Sequence, residues 1–409
     1  MNYDQLLSKR VSRMDVNILR EILKSASRPG IISLAGGIPA PESFPTDIIA
    51  ALTTTVLKTY GASALQYGPT EGFYPLREAV SHFIRKKGIM ARPDDVQITS
   101  GSQGALDAIG KILISKGDKV AIESPTYLGA LHAFNPYEPE YVRIEADEDG
   151  PIPEKLERLL ESHKIKFIYL VPTFQNPTGN TISLKRRKEI ADVICRQNAL
   201  LVEDDPYSDL RYQGEDIIPI QTLATDHVIY LGTFSKILAP GLRVGYCLAP
   251  KAIKKWMIIA KQGIDLHTGS LSQAIASFYL TEGYIDDHLP LILNFYKPRL
   301  AAMLEGLEAY FPSGFSWSRP EGGMFVWVKG PEGLDMGRIH DEAFKENIAF
   351  VPGRYFHIGH REGLETMRLN FTMHDEKTIR NALHLLADIL ERNVSAGFHD
   401  QRVTSFSYA

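Results

Sequence analysis

Residues 228–249 read VIYLGTFSKILAPGLRVGYCLA. An apolar run, VIYLG (228–232), stops at Gly232. A polar turn then places Lys236 between Ser235 and the pair Ile237 and Leu238, and a second apolar run, RVGYCLA (243–249), begins at Arg243. Both runs are short, rich in β-branched and aromatic residues and bounded by glycine, so they read as strands. A free lysine stays in water with a pKa near ~10.4. A lysine in a turn between two strand-like runs, beside hydroxyls and an arginine, therefore needs a reason.

The same texture extends upstream. VQITS (96–100), KVAIES (119–124), KFIYLVP (166–172) and ALLVEDD (199–205) are further apolar runs, separated mostly by helix-like segments such as 102–117 (SQGALDAIGKILISKG) and 183–198 (SLKRRKEIADVICRQN). Continuous apolar strands alternating with helices predict an α/β fold whose sheet is mainly parallel and covered on both faces. After about residue 285 an amphipathic stretch (291–310) leads into MFVWVK, IAFVPG and TMRLNFT, which read as a smaller α/β layer. The expected organisation is an N-terminal segment (1–45), a large domain (46–290), a small C-terminal α/β domain (291–392) and a tail (393–409). The end of the chain, SAGFHDQRVTSFSYA, lacks helical periodicity.

Bulk composition narrows the function classes. With 409 residues, 44% hydrophobic and 23% charged, the chain is an ordinary globular sequence. Forty-five basic against 49 acidic residues leave a formal charge of −4, which offers no footprint for nucleic acid. No apolar run is read as approaching the roughly 20 residues of a spanning helix. The start, MNYDQLLSKRVSRMD, lacks a signal-peptide core. Cys195 and Cys247 are the only cysteines, too few for a disulfide framework or a four-cysteine zinc site. A cytoplasmic enzyme is expected. No metal is expected either: His357 and His360 form an H-x-x-H pair with His374 further on, but FHIGHRE is read as a glycine-containing loop without a carboxylate at ligand spacing. Neither G-x-G-x-x-G nor G-x-x-x-x-G-K-[ST] occurs.

In an open α/β sheet ligands lie beyond the carboxyl ends of the strands. Four polar clusters fall there: SGSQGALD after VQIT, TFQNPTGN after IYLVP, DDPY after ALLVE and TFSK after VIYLG. Ser102 and Gln103, at a helix start with Gly101 and Gly104, suit a phosphate, although the same residues also make an ordinary cap and flexible turn. Thr233, Ser235 and Arg243 add hydroxyl donors and a guanidinium fork, and an arginine at a strand start can equally be a surface residue. Asp204, ending a buried-looking strand, needs a partner such as a protonated ring nitrogen. Asn176 and Tyr207 can donate to a phenolate-like oxygen. Tyr127 offers a face for stacking, or simply packs. A phosphate site, a carboxylate for a ring nitrogen, donors for a ring oxygen and a lysine together describe pyridoxal 5'-phosphate, with Lys236 bonded to its aldehyde.

TSGSQGALD, PTFQNPTG, VEDDPYSDLRY, TFSKILAPGLRVGY and MRLNFT resemble, in this order along the chain, the signature segments of fold type I pyridoxal-phosphate enzymes. The similarity runs from REILKSASRPGIISLAGGIPAPESFP (20–45) to MRLNFT, and points to the class I/II aminotransferases, in the branch of kynurenine/2-aminoadipate aminotransferases. The resemblance implies a large domain with a seven-stranded type of sheet. It makes Lys236 the cofactor-bonded lysine, Asp204 the partner of the pyridine nitrogen, and Asn176 and Tyr207 the ligands of the ring oxygen. Ser102, Gln103, Thr233, Ser235 and Arg243 would hold the phosphate, with Tyr127 on the ring. Arg368 would bind the substrate α-carboxylate, with Asn176 and Gly37 beside it. Tyr67, in LQYGPTEG, would reach the phosphate of a neighbouring subunit, implying a homodimer with shared sites. Thr233 stands where many relatives have serine.

The activity so implied is ping-pong transfer of an amino group from an L-amino acid to a 2-oxo acid. One partner would be glutamate/2-oxoglutarate and the other 2-aminoadipate, an aromatic or a branched-chain amino acid. Lys236 would move the Cα proton and Asp204 would keep the ring nitrogen protonated. β-Lyases and cyclopropane-carboxylate synthases share this fold. Transcription regulators share it too, but carry a DNA-binding domain ahead of it, for which a match starting near residue 20 leaves no room. Arg20, in MDVNILREILKSASRPG, matches an arginine on an N-terminal helix that covers the pocket and contacts a distal carboxylate; the alternative is a solvated helix arginine worth ~0.5 kcal/mol.

Overall fold

The computed structural model describes residues 3–14, 24, 28–360 and 362–404. Its large sheet has seven strands: β1 (Val96–Thr99), β2 (Lys119–Ile122), β3 (Glu140–Arg143), β4 (Ile165–Leu170), β5 (Leu201–Asp205), β6 (Val228–Thr233) and β7 (Gly245–Leu248). Their order is β1-β7-β6-β5-β4-β2-β3. The neighbours from β6 to β3 are all parallel, whereas β7 runs antiparallel to both β6 and β1. The exception has a simple cause. Only residues 234–244 separate β6 from β7, and a parallel return needs a crossover of a dozen or more residues.

Both faces of this sheet are covered, which is why its strands read as continuous apolar runs. Phe167 and Tyr169 of β4, with Val202 of β5, belong to one core, while Ile168, Leu170 and Leu201 belong to the other. Strand β3 was not legible as a strand. It is an edge strand of sequence EYVR with no fully buried residue, so it lacks the apolar signature.

The second layer is a four-stranded antiparallel sheet of β8 (Ser316–Trp317), β9 (Phe325–Lys329), β10 (Val351–Pro352) and β11 (Thr366–Asn370), in the order β8-β9-β11-β10. The N-terminal segment joins this layer. Ile32–Ser33 pairs in parallel with Ile348–Ala349, and the main chain of Leu34 bonds Ala349 (2.7 Å) and Asn370 (2.7 Å). The loop that follows, with Gly37, is thereby carried to the seam between the layers.

Three readings are corrected. The helix expected over 291–310 spans Tyr284–Tyr310 and holds Pro290 and Pro298 inside it. The last helix runs from Glu376 to Thr404, so part of the expected tail is helical. Among the described residues one helical stretch, Thr46–Leu65, is long and apolar enough by length and composition to cross a membrane, contrary to the expectation of none. Its hydropathy comes from isoleucines, leucines, a valine and alanines, and it lies on the core through Leu52, Val56 and Ala64.

The loop 172–182 after β4 is held by Arg187, which is 1% exposed. Its guanidinium donates to the carbonyls of Ile182 (2.9 Å), Pro172 (2.9 Å) and Ile218 (3.0 Å) and to Thr173 Oγ1 (2.7 Å). Arg187→Ala would strand these buried acceptors, and is expected to lower the unfolding free energy by about 3–5 kcal/mol. Urea unfolding checks this; a loss below about 1 kcal/mol would show that the loop holds itself.

Candidate active site

Four strand ends and the N-terminal loop converge on one cavity of about 240 Å³. Its lining includes Ser102 and Gln103 beyond β1, Asn176 beyond β4, Asp204 and Tyr207 at the end of β5, and Thr233, Ser235 and Lys236 beyond β6. Arg243, Tyr127, Gly37 and Arg368 complete it. Of the residues singled out in the sequence, two are not brought here. Tyr67 stands 77% exposed outside the cavity, its ring edge-on to His267 at 5.8 Å. Arg20 lies outside the described residues.

Asp204 is buried at the end of a central strand. Tyr169 donates its hydroxyl to Oδ2 at 2.9 Å, and Oδ1 has no hydrogen-bond partner among the described residues. Burial pushes the carboxyl up to about 7, Tyr169 works against that shift, and the neighbouring Asp205 adds to it. Tyr169 was missed in the sequence because a tyrosine inside an apolar strand run looks like core packing.

Lys236 is half-buried and donates to the Gly37 carbonyl at 2.9 Å. Burial, with the guanidinium groups of Arg368 and Arg243 adding to it, lowers its amine to about 8. A Cβ at Gly37 would stand 3.2 Å from Phe325, so a larger residue would crowd this approach.

Arg368 comes from β11 and is buried between the rings of Phe325 (4.2 Å) and Phe356 (5.0 Å). It donates to Asn176 Oδ1 (2.8 Å) and to the Ala35 carbonyl (2.6 Å), while Nε has no partner. Burial lowers it to about 10, and Tyr207 and Tyr127 offset part of that. Because Asn176 accepts from Arg368 through Oδ1, its amide N–H groups remain for another acceptor. Burial also holds the Tyr127 hydroxyl at about 12 and moves Tyr207 higher still, so both are protonated donors at neutral pH.

Ser102, Gln103, Thr233, Ser235 and Arg243 bring hydroxyls, a guanidinium and a helix start to the same cavity. The helix Gly101–Leu113 begins there, with Gly101 at φ +70°. A Cβ at Gly101 would lie 2.5 Å from the Arg243 guanidinium, so only glycine lets the arginine close over the helix start. Arg243 itself has φ +54° and donates to the Ser100 carbonyl at 3.2 Å. Thr233 Oγ1 and Ser235 Oγ are joined at 2.9 Å beside it.

A family model described as "Aminotransferase class I and II" matches residues 31–386. The chain belongs to that family. It is 45% identical to aromatic-amino-acid aminotransferase 1 of Thermococcus litoralis, over 96% of each chain. A solved kynurenine aminotransferase from Pyrococcus horikoshii superposes with a TM-score of 0.91 at 44% identity, covering 96% of this chain and 98% of that one. An α-aminoadipate aminotransferase from Thermus thermophilus, complexed with N-(5'-phosphopyridoxyl)-L-leucine, gives 0.90 at 37%, covering 97% and 100%. The protein is a pyridoxal-phosphate-dependent aminotransferase of fold type I.

The residues present fit that cofactor. The unpartnered oxygen of Asp204 suits a protonated ring nitrogen, the glycine-lined helix start with Arg243 suits a phosphate, and a lysine amine lines the same cavity. Within FHIGHRE, Phe356 packs its ring on Arg368. Glu362 lies 3.7 Å from Nδ1 of His357, and among the described residues no group of three or more His, Cys, Asp or Glu is placed to hold a metal ion.

The lowered amine gives a direct test. In cofactor-free protein, acylation of Lys236 should rise with pH about a midpoint near 8, and Arg368→Met should move the midpoint upward by removing a positive neighbour. Peptide mass spectrometry reads the modified fraction; a midpoint at the ordinary lysine value near ~10.4 would contradict the site's electrostatics.

Proposed function

We propose that the protein moves an amino group from an L-amino acid to a 2-oxo acid by a ping-pong sequence, with glutamate/2-oxoglutarate as one pair. Its other partner is 2-aminoadipate, an aromatic or a branched-chain amino acid. The observation that carries the reading is that Lys236, the unpaired Asp204 oxygen and Arg368 line one cavity. Bound pyridoxal phosphate supplies an aldehyde carbon and an electron-accepting ring.

The side chains then divide the work. Asp204 holds a proton on the ring nitrogen through Oδ1, with Tyr169 fixing the other oxygen. Asn176 and Tyr207 donate to the ring oxygen, and Tyr127 packs on the ring face. Ser102, Gln103, Thr233, Ser235 and Arg243 hold the phosphate, together with Tyr67 from a second copy in a homodimer with shared sites. The exposure of Tyr67, Leu57 and Leu65 supports such a partner face. Arg368 would take the substrate carboxylate beside Gly37, and the Lys236 amine would carry the proton from Cα. A pKa near 8 leaves part of that amine neutral at physiological pH. The domain division at residues 45, 290 and 392, and a cytoplasmic location, belong to the same reading.

The substrate side rests on the substrates for which the relatives are named and on Ile38, Leu128 and Val171, which give the cavity apolar walls. Incubation with a panel of L-amino acids and 2-oxoglutarate should yield glutamate and the matching 2-oxo acids. Lys236→Ala should abolish this turnover, and full transamination by that variant would overturn the assignment.

Arg20 is proposed to select acidic side chains. Arg20→Ala should then raise KM for glutamate or 2-aminoadipate roughly tenfold or more while leucine and aromatic substrates change little, since only acidic substrates lose a charge-assisted contact. Steady-state kinetics on both classes decides this; equal effects, or none, would remove Arg20 as the selector.

A further inference from the structure

Ser100 occupies the N-cap position of the helix Gly101–Leu113, yet its side chain makes no cap hydrogen bond. A serine there ordinarily turns its hydroxyl onto a first-turn N–H. Here the hydroxyl is engaged elsewhere. It donates to Asp265 Oδ2 at 2.5 Å, shares a bond with Thr268 Oγ1 at 3.1 Å and lies 3.5 Å from Lys261 Nζ. Asp265 ends the helix Lys251–Asp265 and is gripped by Lys261, one turn earlier, at 2.8 and 2.9 Å. Lys261 is only 4% exposed, so the pair is anchored in the packing. The carbonyl of the same Ser100 receives Arg243.

We propose that Asp265, held by Lys261, is a positioning residue that keeps the Ser100 hydroxyl from capping its own helix, and so reserves the first-turn N–H groups for the cofactor's phosphate. Those N–H groups have no partner within the helix, and the first-turn residues Ser102 and Gln103 line the cavity. A capping hydroxyl would compete with the phosphate for them. Without Asp265, rotation of Ser100 about its side-chain bond supplies that competitor. The arrangement also fixes the residue whose carbonyl seats Arg243. This inference rests on the phosphate lying at the helix start and Arg243.

The test uses full-length enzyme dialysed to equilibrium against pyridoxal phosphate or pyridoxal, which lacks the phosphate. Asp265→Ala should weaken pyridoxal phosphate about five- to tenfold, the worth of one cap hydrogen bond, and leave pyridoxal unchanged. The double variant Asp265→Ala/Ser100→Ala, which has no competing hydroxyl, should regain most of the lost affinity. Asp265→Asn, which keeps the shape but loses the charge pair with Lys261, should fall between, and serves where the alanine variant folds poorly. Equal weakening of both ligands, or failure of the Ser100→Ala change to restore binding, would overturn the proposal. Arg243→Ala separates it from the underlying reading. If Arg243→Ala weakens pyridoxal phosphate selectively and Asp265→Ala does not, only the role of Asp265 fails; if neither does, the phosphate is not bound here and both readings fall.

Discussion

Asp204 lies 1% exposed on a strand flanked by strands on both sides, with one oxygen bonded to Tyr169 and the other unanswered among the described residues. Burial raises its pKa from 3.8 to about 7, which corresponds to about 4 kcal/mol against the ionised form. At neutral pH such a group is only partly ionised until a positive partner arrives. A protonated ring nitrogen is that partner in the proposed function, and each stabilises the charge on the other. In the proposed function the remaining site residues hold the ring beside Asp204.

The architecture supports that placement at three points. The strand ends β4, β5 and β6 are adjacent and parallel, so Asn176, Asp204 and Lys236 reach one rim from rigid elements. The helix start beyond β1 comes to the same rim because antiparallel β7 fills the space between β1 and β6. The N-terminal strand, tied to the second layer through Ala349 and Asn370, then brings Gly37 against Lys236 and Ala35 against Arg368. The cavity around Lys236 and Arg368 is thus assembled from parts of the chain far apart in sequence.

Much of this is readable without coordinates, for a physical reason. Strands buried on both faces must be apolar throughout, and β2, β4, β5 and β6 announce themselves that way. Polar clusters at their carboxyl ends announce the rim. Other features leave no local trace. Strand β3 is half-solvated at an edge and has no apolar run. Tyr169 looks like core until the geometry shows its hydroxyl on Asp204. The contact of Asp265 with Ser100 joins residues 165 positions apart, which no spacing rule reveals. The direction of β7, by contrast, follows from the length of 234–244, a clue available in the sequence itself.

The central claim is that Asp204 and the cofactor's ring nitrogen form a buried ion pair. Enzyme loaded with pyridoxal phosphate labelled with nitrogen-15 in the ring reports this directly through the nitrogen's chemical shift. At neutral and mildly alkaline pH the shift should be that of a protonated nitrogen, and in Asp204→Ala it should move to the neutral position. A neutral nitrogen in the unaltered enzyme, or a protonated one that persists without Asp204, would contradict the account.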